Sequence, residues 1–181
     1  GRLPWASEVF NGQAPDVPNM IMLQHAATPA QKQRWLEPLL EGRIRSAFGM
    51  TEPDVASSDA PNIPKSLRRD GGEWVVNGRK WYITGGAHPD SAFVIVMGVS
   101  RPEASRTGRH SCVIVPMETS GLKVVRELRF LGWEDSIAPI AELEFRDVRV
   151  PLENLLGEEG EGFAAAPVRL GPARLPHGLR A

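Results

Sequence analysis

Two stretches of this sequence combine residue types that can hold a flat, charged small molecule. The first, Phe48-Gly49-Met50-Thr51-Glu52-Pro53-Asp54-Val55-Ala56-Ser57-Ser58-Asp59, begins apolar and turns into a run of hydroxyls, carboxylates and small residues. The second, Trp81-Tyr82-Ile83-Thr84-Gly85-Gly86, sets two aromatics and a hydroxyl before two glycines. A planar heteroaromatic ligand with phosphates needs such parts: an aromatic wall, hydroxyl and amide donors for ring heteroatoms, and small residues where backbone approaches phosphate. The same residues also suit an aromatic core closed by turns, so the two stretches alone name no ligand.

Other chemistries fail on their residues. His25, His88, His110 and His177 stand at no metal-ligand spacing and Cys112 is the one cysteine, which argues against a zinc or iron site and excludes an intramolecular disulfide. Gly157-Glu158-Glu159-Gly160-Glu161-Gly162 has the glycines of a phosphate loop, but three carboxylates would repel a phosphate. No Gly-x-Ser-x-Gly elbow is present for a serine nucleophile. With 21 Lys+Arg against 22 Asp+Glu, the net charge of −1 leaves no surplus to displace counterions from nucleic acid or to form a polybasic membrane anchor. The longest apolar run, Ala92 to Val99, is far short of the roughly 20 residues that cross a bilayer, so no transmembrane segment is expected.

The elements that must position the two stretches follow from pattern. After a loop from Asn11 to Asn19, Met20 to Ala27 suits a short helix. Thr28-Pro29 then reads as an N-cap and first-turn proline opening a helix from Ala30 to Glu41, which Gly42 ends; Trp35, Leu36, Leu39 and Leu40 form its buried stripe. From Ser46 the runs become short and β-rich. Asp70-Gly71-Gly72 should close a hairpin between Ser66–Arg69 and Glu73–Val76, and Asn77-Gly78 a second one leading to Arg79–Thr84. Trp74 and Val76 should face one side. Further strands are expected at Ala92–Val99, His110–Pro116, Leu122–Arg126 and Ile140–Phe145, with Arg101–Arg109 a solvated loop. The predicted architecture is mainly β, an antiparallel barrel or sandwich over residues 46–157, flanked by helical segments at 1–45 and 158–181. Pro167, Gly171, Pro172, Pro176 and Gly178 interrupt the helical pattern that opens at Phe163, and a chain that starts at Gly1 reads as an excerpt of a longer protein.

Four groups of residues, taken in order, carry a resemblance. They are Met50-Thr51-Glu52-Pro53 with Ser58-Asp59; Asn77-Gly78-x-Lys80-x-Tyr82-Ile83-Thr84-Gly85-Gly86; Phe145-x-Asp147-Val148-x-Val150-Pro151-x-Glu153-Asn154-Leu155-Leu156-Gly157; and Gly160-x-Gly162-Phe163. Together they resemble the signature of the acyl-CoA dehydrogenase family over nearly the whole chain. Glu8-Val9-Phe10-Asn11, Val55-Ala56-Ser57-Ser58-Asp59 and Leu170-Gly171-Pro172 are most similar to the subgroup with members fused to a kinase-like domain.

The resemblance implies a middle β domain at 46–157 that contacts FAD, between the end of an N-terminal helical domain at 1–45 and the start of a C-terminal one at 158–181. It implies α,β-dehydrogenation of an acyl-CoA thioester, as in fatty-acid β-oxidation: a carboxylate removes the α proton while hydride leaves the β carbon for flavin N5. By position, Phe48, Met50, Thr51, Ser57, Tyr82, Ile83 and Thr84 would bind the cofactor, Thr84 through its hydroxyl near N5 and Tyr82 as a wall. Ser58 would lie near the thioester arm and Arg174 near the CoA nucleotide. Tyr82 stands where the family usually has Trp, and the Thr51–Asp59 loop is one residue longer than in many members. The resemblance further implies an electron-transfer flavoprotein as acceptor, a homo-oligomer in the full-length form, and a cytoplasmic location in bacteria or a mitochondrial or peroxisomal one in eukaryotes. None of the chain's carboxylates takes the role of catalytic base. The chain alone is therefore expected to show no dehydrogenation and to hold FAD weakly if at all; the alternative is a catalytically dead β-barrel remnant or protein-interaction module.

Overall fold

The computed structural model describes residues 9–12, 14–57, 67–129, 131–134, 137–165 and 169. Ser58, Arg174 and the proline-interrupted tail lie outside the described residues.

Helix α1 (Asp16–Ala26) starts earlier than the pattern suggests, inside the expected Asn11–Asn19 loop. Pro18 permits this, because in a first turn its missing N–H would have had no helical partner, and Asp16 places negative charge at the helix start. Thr28 caps the next helix as expected. Its Oγ1 accepts from the Gln31 N–H at 3.2 Å while Gln31 Oε1 accepts from the Thr28 N–H at 2.9 Å. The single helix expected over Ala30–Glu41 is in fact three pieces: α2 (Pro29–Gln31), a π-helical segment (Lys32–Leu36) and α3 (Glu37–Leu40). The wide turn, in which the Glu37 N–H bonds to the Lys32 carbonyl, directly precedes Pro38, whose ring would clash in a regular α-helix. The extra residue also shifts the stripe: Trp35, Leu36 and Leu39 are buried, but Leu40 is 57 % exposed instead of packed.

Among the described residues the β region is a sandwich of two four-stranded sheets, which settles the barrel-or-sandwich alternative. The first sheet has the order β1 (Arg45–Gly49), β4 (Ser91–Val99), β5 (His110–Pro116), β8 (Leu155–Leu156). The second has the order β2 (Leu67–Asp70), β3 (Glu73–Ile83), β7 (Ile140–Pro151), β6 (Leu122–Leu128). All strand pairs are antiparallel except β1 with β4, which run parallel. Trp74 and Val76 share the inter-sheet core with Val94, Val96, Val113, Val115, Leu143 and Phe145. On its other face the first sheet turns Phe93, Ile95, Met97, Cys112 and Ile114 toward Leu23, Trp35, Leu36 and Leu39 of the helices. Both faces of β4 are therefore covered, which explains a run apolar throughout.

Gly71-Gly72 makes the predicted hairpin, with Asp70 opposite Glu73 and Gly71 at φ +61°. Asn77-Gly78 does not. Strand β3 runs straight through it, and the irregularity sits on the partner, where β7 spends one extra residue between Val148 and Phe145. Asn77 holds that bulge: its Oδ1 accepts from the Asp147 N–H at 2.9 Å and its Nδ2 donates to Asp147 Oδ1 at 3.1 Å, with Asp147 at φ +48°. A side chain bonded across the ladder keeps the strand going where a hairpin would reverse it. β7 correspondingly continues past the expected end at Phe145, and β6 past Arg126.

Candidate functional site

A second bulge lies on β3 itself. Between the pairs Lys80↔Leu143 and Ile83↔Ala141, β3 spends three residues against two on β7. Trp74, Val76 and Lys80 keep inward parity up to that point; the bulge resets it, so that Ile83 turns inward and Tyr82, at φ +51°, turns out. Holding a bulky residue in the left-handed region costs on the order of 1 to 3 kcal/mol, and such strain concentrates at functional sites. Its result is an aromatic ring presented at the surface: Tyr82 is 49 % exposed and stacks edge-on with Trp81 at 5.0 Å.

The bulge meets the other motif stretch. The Trp81 N–H donates to the Thr51 carbonyl at 3.1 Å, and the Thr51 hydroxyl donates to the Trp81 carbonyl. Met50, Thr51 and Thr84 are half-buried around this junction, and the Thr84 hydroxyl makes no hydrogen bond among the described residues. Gly85, at φ +76°, lets the chain turn against β1, where a Cβ would stand 2.9 Å from the Ser46 carbonyl.

The remaining expected residues lie differently. Ile83 is 1 % exposed in the inter-sheet core, so only its backbone can face a ligand. Phe48 points into the core beneath the helices, and the guanidinium of Arg169 lies over its ring at 4.0 Å. The Ser57 hydroxyl folds back into its own loop, accepting from the Glu52 N–H at 2.8 Å. Ser58 and Arg174 fall outside the described residues.

Pattern reading also passed over several charged groups that the structure buries. Lys80, 1 % exposed, donates to Glu52 Oε1 at 2.6 Å and to the Met97 and Met50 carbonyls at 2.9 and 3.2 Å. Burial pushes the Lys80 ammonium below its usual range, with the Glu52 carboxylate opposing that shift. The signal was available in the alternation from Trp74 and Val76, which carries Lys80 inward. Arg169 donates to Asn19 Oδ1 at 2.7 Å, and burial lowers its guanidinium to about 10. Asn19 in turn donates to Ser46 Oγ at 2.9 Å, and buried Asp16 accepts from the Ser46 N–H at 2.8 Å. Burial holds the Asp16 carboxyl above its ordinary range against those hydrogen bonds, and pushes the Cys112 thiol up to about 12. These groups are buried and hold elements together.

Among the described residues no cluster of three or more His, Cys, Asp or Glu could hold a metal, and no helix is long and apolar enough to cross a membrane. What the junction offers is an exposed aromatic ring, a hydroxyl with no hydrogen bond among the described residues and a buried glycine turn, parts that suit a planar heteroaromatic ring.

Comparison with known proteins shows which family shares this fold. Residues 47–148 match the model of the acyl-CoA dehydrogenase middle domain. The probable acyl-CoA dehydrogenase FadE2 of Mycobacterium tuberculosis is 49 % identical over 97 % of this chain and 43 % of its own length. Acyl-CoA dehydrogenase family member 11 of Gallus gallus is 50 % identical over 99 % of this chain and 23 % of its own. A solved structure from Mycobacterium abscessus, described as that of an acyl-CoA dehydrogenase, superposes with a TM-score of 0.94 at 48 % identity, covering 97 % of this chain and 43 % of that one. The chain thus spans less than half the length of these relatives.

Proposed function

The chain belongs to the acyl-CoA dehydrogenase family, and from that premise we propose that it forms the flavin-facing wall of an FAD-dependent enzyme that desaturates an acyl-CoA thioester between its α and β carbons. One observation carries the reading: the bulge at Trp81–Tyr82, with Thr84 following it in the chain, presents an aromatic ring beside the Met50-Thr51 strand end. FAD, when bound, would accept the hydride of the reaction. Tyr82 would wall the flavin ring, Met50 and Thr51 would flank it, and Thr84 would donate from its hydroxyl. Backbone at Ile83 and the loop closed by Ser57 would complete the holding surface, with Phe48 supporting β1 from below.

The base that removes the α proton would come from outside these residues. Glu52 is the carboxylate nearest the junction in sequence, and its side chain is buried and committed to Lys80. In this reading residues 1–45 and 158–181 belong to helical domains on either side of the 46–157 β domain. The assembled protein, a homo-oligomer, would pass electrons to an electron-transfer flavoprotein, in the cytoplasm of a bacterium or in a mitochondrion or peroxisome.

Titrating the chain with FAD while following flavin absorbance and fluorescence tests the wall. Thr84→Ala should weaken the flavin about fivefold, because one hydrogen bond to the ring contributes on the order of 1 kcal/mol. Unchanged affinity and spectrum in that variant would favour the β-module alternative.

A further inference from the structure

Lys80 stands where β1 leaves its sheet. Strand β1 pairs with β4 as far as Gly49↔Val96 and then departs as Met50-Thr51-Glu52. One residue further along β4, the Met97 carbonyl accepts from Lys80 Nζ at 2.9 Å. The same ammonium holds the Met50 carbonyl at 3.2 Å, in the first residue past the strand, and Glu52 Oε1 at 2.6 Å. An ammonium has three N–H donors, and all three are engaged, one with β4 and two with the segment that leaves β1. Lys80 is itself the last β3 residue before the Trp81–Tyr82 bulge. Its side chain therefore connects the point where β1 peels off, the loop behind it and the strained turn that presents Tyr82.

We propose that Lys80 is a positioning residue for the flavin wall: its ammonium replaces the missing end of β1, sets where Met50-Thr51 separates from β4, and so holds Thr51 against the Trp81 backbone. The proposal rests on the flavin reading above and adds to it what fixes the wall's register. A Lys chosen only to fill space would be a poor choice here, since an apolar side chain of its length would bury without desolvating a charge. What an apolar side chain cannot do is hold a β4 carbonyl together with a carbonyl and a carboxylate of the departing segment at one point.

The test pairs Lys80→Met with Glu52→Gln, so that no lone charge is left buried, and compares that double variant with Val115→Ala, a core truncation at the inter-sheet face of β5. Lys80→Gln serves as the milder change, neutral but still a donor, should the double variant not fold. Two readouts are taken on the full chain: amide hydrogen exchange of Trp81 and FAD affinity. The expected result is Trp81 exchange about tenfold faster relative to β4 amides, with FAD about tenfold weaker, in the double variant. Lys80→Gln should fall between it and the parent, and Val115→Ala should change neither ratio even at a similar urea midpoint. Trp81 exchange unchanged relative to β4, or faster exchange with undiminished FAD affinity, overturns the proposal. Failure of the parent chain to bind FAD would bear on the flavin reading alone, and Trp81 exchange would still decide whether Lys80 holds Thr51 in place.

Discussion

The two sheets have the same number of strands and share one core, yet their outer faces differ. The first sheet is covered on both sides: Val94 and Val96 face the second sheet while Phe93, Ile95 and Met97 face the helices. The second sheet covers its outer face with ion pairs. There Glu142, 2 % exposed on the outward side of β7, is gripped by Arg79 and by Arg126 at 2.7 Å, and Arg149 reaches Asp70 at 2.7 Å and Glu73 at 3.1 Å. Each sheet also places a buried carboxylate differently. Glu52 is paired with a lysine that is itself buried, where β1 parts from β4, whereas both arginines on Glu142 keep their heads in water. A charge pair with both partners buried holds position strictly; one with wet arginines can rearrange. The junction that faces the proposed ligand is built with the strict kind.

The comparison breaks most visibly in the first sheet. Phe93 is fully buried and packs against Trp35 at a ring separation of 5.0 Å. Phe93→Ala should lower stability by about 3 to 5 kcal/mol, measured by urea unfolding, because a large cavity opens between sheet and helices. A loss under 1 kcal/mol would mean that the helices do not seal that face in solution. On the second sheet Glu142→Gln should cost less, about 1 to 2 kcal/mol, since the amide stays hydrogen-bonded and the two arginines can turn to water. If Glu142→Gln equalled Phe93→Ala, the outer face would be as strictly built as the inner one.

What could be read from the sequence divides along the same line. Covered strands are legible, because an apolar run such as Ala92–Val99 has one plausible place to go, and the Thr28 cap and the Gly71-Gly72 turn are local chemistry that needs no distant partner. Asn77-Gly78 misled because its partner, Asp147, lies 70 residues away; the dipeptide alone looks like a turn and only the cross-strand bond reveals a bulge. The two motif stretches were identifiable as a pair, but not which of their side chains face outward. The bulge at Tyr82 decides that, burying Ile83 and exposing Tyr82, and a shift of one residue leaves no trace in composition. Phe48 could not be placed either, since its cover comes from Arg169, whose hydrogen bond to Asn19 spans 150 residues.

The smallest effect is expected at Arg149. Its guanidinium donates to Asp70, and that hydrogen bond, with the nearby charge of Arg68, holds the Asp70 carboxyl below its usual range. A depressed carboxyl contributes stability that is fully present above its ordinary range and lost only as pH falls through the folded-state value. Both partners are exposed, however, so water and salt screen the pair. Arg149→Ala should therefore leave the urea midpoint at pH 7 unchanged while the Asp70 carboxyl, followed by NMR titration, moves back up toward its ordinary range. The shift should shrink when the parent is titrated at high salt, because screening weakens the same interaction that the substitution removes. A drop in the urea midpoint comparable with that of Glu142→Gln would show that the exposed pairs support the fold as much as the buried one, and the distinction between the two sheets' outer faces would no longer hold.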